Sequence, residues 1–340
     1  GRFAAAPVLS KTALPIFDNS AMDGYAVHAA DTVGASPEAP VRLRLAGQAE
    51  VLRGPQAGAF GANAAGGLVR LVTNAPTAYW TGLIESSAGG DGLRAGGLAI
   101  GGPLLTRSHP EQLLMRLALH GEVSDGFRRN VTLNLDTNAR DEFSARLRFT
   151  ANPAPGWRWE GAALYSRLNN GYDEFALDNN GARTFSNRPG RDEQESIAGS
   201  LRGTHAGTVV RFTTITNASR VESVYSYDDD WTAASYDGFS DLRRKRTVVG
   251  QEFRLDSMPT REALGAIDRW TVGAYFSQTD ESSAYTNEDP GNLRGLRTNY
   301  AAANQAVYGQ IGSDLGAGNR LIFGLRAERV VRWPTSFSMV

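Results

Sequence analysis

The chain has 340 residues, 38 of them Gly and none Cys, with 41% hydrophobic residues and a net charge of −1. Near-neutral charge removes the basic face that nucleic-acid binding needs. Lack of Cys excludes disulfides and thiolate metal sites and fits an envelope protein. No run of about 18 apolar residues is present, so no helix spans a bilayer; a transmembrane strand, which needs only about ten residues of alternating character, is untouched by that test.

The chain opens at Gly1 without Met or a signal peptide, a start that reads as internal to a longer gene or trimmed. Residues 1–48 hold short apolar stretches broken by Pro7, Pro15, Pro37 and Pro40, read as short strands and turns. Among them stands Pro15-Ile-Phe-Asp-Asn-Ser-Ala-Met-Asp-Gly-Tyr-Ala-Val27, preceded by Gly1-Arg2 and followed by Ala29-Ala-Asp31. This string resembles the molybdopterin molybdenumtransferase family (MoeA and gephyrin). The resemblance implies a fragment of an α/β enzyme, with Asp23 at the active-site position and molybdopterin and Mg as cofactors. No βαβ alternation and no second acidic motif follow Gln48. On its own residues, therefore, Asp23 is an exposed loop carboxylate, and no catalytic or metal-binding residue is assigned.

Residues 49–77 comprise a strand from Ala49 to Leu52, a Gly-rich turn and a second strand from Leu68 to Thr73. Gly54-Pro55 ends the first strand sharply, and Gly61, Gly66 and Gly67 allow tight turning where a Cβ would clash. From Tyr79 to the end, apolar and polar residues alternate with period two over segments of about ten positions. Leu113, Met115, Leu117 and Leu119 face one way with Arg116 opposite; Phe143, Ala145, Leu147 and Phe149 alternate with Arg146 and Arg148. Trp157 and Trp159 alternate with Arg158 and Glu160, Trp270 to Phe276 with Thr271 and Gly273, and Leu321 to Ala327 with Arg326. Twelve strands are predicted, near 79–88, 93–101, 111–120, 141–151, 157–167, 194–204, 208–217, 219–227, 247–257, 268–278, 304–314 and 320–331. Short turns at 89–92, 206–207 and 316–319 alternate with long polar connections at 168–192, 228–246 and 279–302. That is the pattern of a membrane barrel with an apolar outside and a wet inside.

The ordered strings Glu50-Val-Leu-Arg-Gly-Pro-Gln56, Gly61 to Gly67, Val69 to Pro76, Gly102-Pro-Leu104, Asp125-Gly-Phe-Arg-Arg-Asn130 and Asn138-Ala-Arg-Asp-Glu142 resemble TonB-dependent outer-membrane receptors. The resemblance implies a mainly β chain with three parts: a MoeA-like fragment at 1–48, the end of a receptor plug at 49–77 and a partial antiparallel barrel at 78–340. Its implied plug motif is Glu50, Arg53, Gly54, Pro55, Gly61, Gly66 and Gly67, with Glu50 and Arg53 in polar plug–barrel contacts. Arg116, Arg146, Arg148 and Arg326 are candidates for the lumen, where they could attract an anionic substrate or hold the plug. Outer-membrane lipid, the TonB complex and a small nutrient are the implied partners. The family barrel has about 22 strands, so twelve leave two open edges, which lipid does not tolerate. The chain also lacks the terminal aromatic strand and the TonB-engaging segment, and is expected not to transport. The alternatives are a cytoplasmic molybdenumtransferase and a non-functional fusion joined near Gln48.

Weaker signals have plain readings. Gly89 to Gly102 lacks a phosphate-loop ending. Asp228-Asp-Asp230 reads as a solvated loop run, Arg243-Arg-Lys-Arg246 as a loop-to-strand junction, and His28, His109, His120 and His205 show no ligand spacing.

Overall fold

The computed structural model describes residues 47–53, 67–105, 109–178, 181–232, 238–258, 268–289, 292–316, 319–333 and 336–339. The chain divides into two units, Gly1–Ala75 and Pro76–Val340. In the first, β1 (Gly47–Arg53) pairs antiparallel with β2 (Gly67–Thr73), placing Glu50 opposite Arg70 and Arg53 opposite Gly67. These are the two strands expected around the Gly-rich turn. Asp23, Gly54, Pro55, Gly61 and Gly66 lie outside the described residues.

The second unit is built of β3 (Thr81–Ala88), β4 (Arg94–Pro103), β5 (Leu113–Ser124), β6 (Arg128–Asn130), β7 (Leu135–Thr137), β8 (Arg140–Ala151), β9 (Trp157–Tyr172) and β10 (Arg183–Thr184). It continues through β11 (Gly190–Ala206), β12 (Val210–Asp228), β13 (Phe239–Ser257), β14 (Arg269–Asp289), β15 (Asn292–Gly316), β16 (Asn319–Arg332) and β17 (Ser336–Met339). All but β6, β7 and β10 form one antiparallel sheet in which sequence neighbours are spatial neighbours, from β3 at one edge to β16 at the other. Among the described residues the two edges do not pair with each other. β17 also pairs with β15: Arg332 of β16 lies opposite Ala302, and Ser336 of β17 opposite Asn299. The three remaining strands make a small sheet of order β10-β6-β7, within the connections that precede β8 and β11.

Two sequence expectations change here. Segments 208–217 and 219–227 are a single strand, β12, whose ladder with β13 runs unbroken through Asn217↔Gly250 and Ser219↔Val248. The apolar alternation fades near Ala218, and that fading mimics a turn. The polar stretch 279–302 is likewise no loop, since β14 and β15 remain paired up to Asp289↔Asn292. Ladder hydrogen bonds do not depend on side-chain polarity, so strands continue past the point where their apolar face ends.

Directly opposed residues share a face, so each face can be followed across the sheet. One face carries Leu113 to Leu119, Phe143 to Phe149, Trp157 to Tyr165, Ile197 to His205, Val210 to Ala218, Thr247 to Leu255, Trp270 to Phe276 and Leu321 to Ala327 at alternate positions. No Asp, Glu, Lys or Arg stands on that face within those spans. The spans start at the short turns and end at Asp141, Arg167, Glu195, Arg220, Lys245, Asp280 and Arg329. Burial is reversed relative to a water-soluble core. The largest fully buried side chains are Asn130, Thr184, Thr213, Ser186, Ser226 and Ser240, while Ile197, Val272, Phe323 and Leu325 are 59%, 53%, 64% and 71% exposed. Rings lie over glycines along the belt: a Cβ on Gly161 would sit 2.0 Å from the Phe149 ring, and one on Gly203 2.6 Å from the Trp159 ring. Both pairs are directly opposed across strands, so only Gly lets the ring lie flat there.

Candidate functional site

The opposite, polar face carries the four arginines named as lumen candidates, Arg116, Arg146, Arg148 and Arg326. Arg116 is directly opposite Arg148, and Arg146, opposite Ala118, stands one row further along the same face. All three are half-buried. Like charges directly opposed across strands repel. Arg326, opposite Tyr308, lies on this face too, but at the far side of the sheet. It pairs with Glu328 at 2.8 Å and lies 5.8 and 5.9 Å from the Tyr275 and Tyr308 ring centres. The structure therefore brings three of the four together and leaves the fourth in a separate network. Glu50, Arg53 and Gly67 are placed as backbone in β1 and β2.

The richest chemistry lies at the long-loop end of the polar face, at residues the sequence reading did not select. Tyr172, Tyr225 and Tyr227 project from β9 and β12, and Phe175 and Trp231 join them from the adjoining loops. Tyr172 packs edge-on to Tyr225 at 4.8 Å, Phe175 edge-on to Tyr227 at 5.7 Å, and Phe175 stacks on Trp231 at 5.1 Å. Burial pushes the Tyr225 and Tyr227 phenols above their ordinary pKa, so both remain neutral near pH 7.

The loops around this cluster are held by carboxylates. Asp228, buried, accepts the backbone N–H groups of Asn187 (3.0 Å), Arg188 (3.3 Å), Asp230 (3.1 Å) and Trp231 (3.0 Å). Its burial raises its pKa. Asp229 accepts from Ser240 at 2.9 Å and from Asn287, and Asp230 accepts from Thr232 (2.8 Å) and Gly238 (3.1 Å). The acidic run is thus a set of loop fasteners, and its first member is buried instead of solvated. These bonds hold Trp231 at φ 61°, a left-handed conformation costly for a bulky side chain. Strain of that kind persists only where the surroundings over-determine it, here at an aromatic surface.

A second fastener sits beside the small sheet. Asp173, buried, accepts from Asn130 (3.0 Å), Thr184 (2.5 Å) and Ser186 (2.7 Å), while its own N–H donates to Asn138 at 2.6 Å. It ties together the two connections that hold β6, β7 and β10.

Other sequence candidates resolve simply. Arg243 to Arg246 lie within β13, facing alternately outward to Asp241 (2.8 Å) and Glu222 (3.3 Å) and inward to Glu281 (3.5 and 3.9 Å). They lie inside the strand, not at the expected loop-to-strand junction, and form ion pairs both along β13 and across to its neighbours. His205 packs on Trp157 at 4.6 Å, and among the described residues no three His, Asp or Glu could hold a metal ion. A period-two reading of Tyr225 and Tyr227 was the available signal for the aromatic cluster. By itself that signal does not mark a cluster, because Phe175 and Trp231 join it only through the fold.

Known proteins divide along the chain. Residues 1–76 match the family described as MoeA N-terminal region (domain I and II). Molybdopterin molybdenumtransferase 2 of Mycobacterium tuberculosis (strain H37Rv) is 62% identical over 39 residues, 12% of this chain and 10% of that protein. Among solved structures, the ferric yersiniabactin uptake receptor FyuA from Yersinia pestis aligns with TM-score 0.66 and 15% identity, over 86% of this chain and 50% of that one. The ferripyoverdine receptor of the Pseudomonas aeruginosa outer membrane gives TM-score 0.63 and 14% identity, over 85% and 43%. The ferric citrate transporter FecA gives 0.60 and 15%, over 90% and 47%. The chain spans half or less of these receptors and a tenth of the curated relative. It joins a stretch similar to a molybdenumtransferase to a sheet with the fold of the TonB-dependent outer-membrane receptors.

Proposed function

We propose that β3 to β17 form receptor wall in an outer membrane, with the apolar face against lipid and the polar face toward a ligand path. The observation that carries this is the reversed burial. A face of exposed Ile, Val, Leu and Phe, free of charge for the roughly 9–11 residues that a tilted strand needs to cross, suits hydrocarbon and would aggregate in water. A soluble sandwich would cover it with a second sheet, whereas the belt's Ile, Val, Leu and Phe side chains stand exposed. Aromatic side chains border the belt, with Trp157, Trp159 and Trp270 at one margin and Phe143, Tyr165 and Phe276 at the other.

The ligand proposed is a ferric chelate, the class named for the three aligned receptors. The aromatic surface of Tyr172, Phe175, Tyr225, Tyr227 and Trp231 would receive it, and Arg116, Arg146 and Arg148 would favour an anion deeper in the path. Active uptake through TonB belongs to a whole receptor. Ferric citrate and a ferric catecholate titrated into the full chain in vesicles provide the test. Saturable quenching of tryptophan emission, lost in Trp231→Ala and Tyr225→Ala, is the expected result; quenching unaltered in both variants would remove the site.

The match over 39 residues at 62% identity supports a second reading, a molybdenumtransferase fragment using Asp23, molybdopterin and Mg. We place the join near Gln48, with residues 49–77 as plug; the family match reaches residue 76, so the two assignments differ over 49–76. Molybdate insertion by the full chain would favour the enzyme, and none is expected. Reading the gene across this region in independent isolates separates a genuine junction from a non-functional fusion.

A further inference from the structure

The apolar face is not uniform. Gly309 on β15 lies between Val272 on β14 and Leu325 on β16, each directly opposite it. The row on the short-turn side is Trp270–Ile311–Phe323, and the row on the other side is Ala274–Val307–Ala327. The missing side chain lies in the floor of a shallow, open depression of about 530 Å³ lined by these strands. An added Cβ at Gly309 would meet only the Thr271 carbonyl oxygen, at 3.6 Å, so nothing in the described structure fills the space. Bulky Trp270, Ile311 and Phe323 close one end, while small Ala274 and Ala327 leave the other end open toward the first charged residues.

At that open end stands Arg329, exposed, on the same face two residues beyond Ala327 and opposite Gln305. Its neighbours on this face, Phe276, Gln305, Ala303 and Val331, include no acid. From Arg329 to Phe323 is six residues, about 20 Å along the strand, which accommodates an extended acyl chain. We propose that this trough is a lipid site, seating one hydrocarbon chain over Gly309 with its anionic headgroup on Arg329. The hollow is continuous with the belt, and a cation stands where an anionic headgroup would lie. The inference rests on the reading that this face lies against lipid.

The full chain folded into phosphatidylcholine vesicles tests it, using a minor fraction of lipid with brominated chains, which quench nearby tryptophan. The signal of Trp270 is the difference between the chain and Trp270→Phe. Brominated phosphatidylglycerol is expected to quench Trp270 about five-fold more effectively than brominated phosphatidylcholine, while Trp157 and Trp159 respond equally to both. Arg329→Gln should abolish the preference, and Gly309→Leu, which the open space admits, should abolish it without touching the charge. Equal quenching of Trp270 by both lipids overturns the site and leaves the belt standing. No quenching of Trp157, Trp159 or Trp270 overturns the belt itself. Quenching of Trp270 that falls as protein crowds the vesicle would mean a second copy fills the hollow, against the proposal.

Discussion

The two ends of the same strands solve opposite problems. From Trp157 to Tyr165 on β9, or from Thr247 to Leu255 on β13, the apolar face carries no charge, with Trp157, Trp159 and Tyr165 half-buried and Val249, Phe253 and Leu255 exposed. A few residues further, at Arg167, Glu195, Glu222 and Lys245, the same face becomes a row of ions directly opposite one another. The hydrogen-bonded ladder does not change between them. The ladder gives continuity and the side chains choose the medium, so strand and membrane segment are different lengths in this chain.

Charge insertion should break the contrast most. Leu147→Arg, on the belt, is expected to cost about 2–4 kcal/mol in vesicles and Val123→Arg, on the same face beside Asp141, about 0–1. The two positions are similarly exposed, 42% and 46%, so equal penalties in urea titrations would contradict the assigned border. At the other end, Asp173→Ala removes the acceptor shared by Asn130, Thr184 and Ser186, of which Asn130 keeps its bond to the Ser186 carbonyl, and is expected to cost about 3 kcal/mol. The loss should be local, with amide exchange rising across 128–137 and 183–186 while β11 to β15 stay protected. Gly203→Val should cost about 1–3 kcal/mol by displacing the Trp159 ring, with a shift in tryptophan emission. The smallest effect is expected at Glu222, whose carboxyl is held below its ordinary pKa by Arg220 and Lys245. A depressed pKa contributes stability above the unfolded value of about 4.3 and loses it as pH falls through the folded value. The native chain should therefore keep a slight advantage over Glu222→Gln at neutral pH and lose it in acid, when unfolding midpoints are compared.

Much of the sheet is legible in the sequence because period two is a local signal. Met115 alternating with Arg116 and Leu147 with Arg148 place both strands and both faces before any pairing is known. Where the pattern depends on the medium it misleads: Ala218 to Arg220 marks the belt's edge and reads as a turn, and 279–302 reads as loop although β14 and β15 stay paired there. The site is less legible still. Arg116, Arg146 and Arg148 share a face by simple parity, but Tyr172 and Tyr225 meet across β11 only through the order of the sheet, and Trp231 is held by Asp228, whose four backbone bonds have no sequence signature. The Asp173 cluster and the Gly309 hollow are equally non-local, each set by cross-strand register.

The absence of native Cys allows single cysteines, each spin-labelled, to be walked along β13 from Asp241 to Ser257 in vesicles, reading collision with oxygen against a water-soluble nickel chelate. The ratio is predicted to alternate with period two from Thr247 to Leu255, oxygen-rich at Val249 and Phe253, and to become uniformly water-like from Lys245 to Asp241. No alternation along Thr247 to Leu255, or alternation that runs on unchanged through Arg243, would contradict a lipid-facing belt.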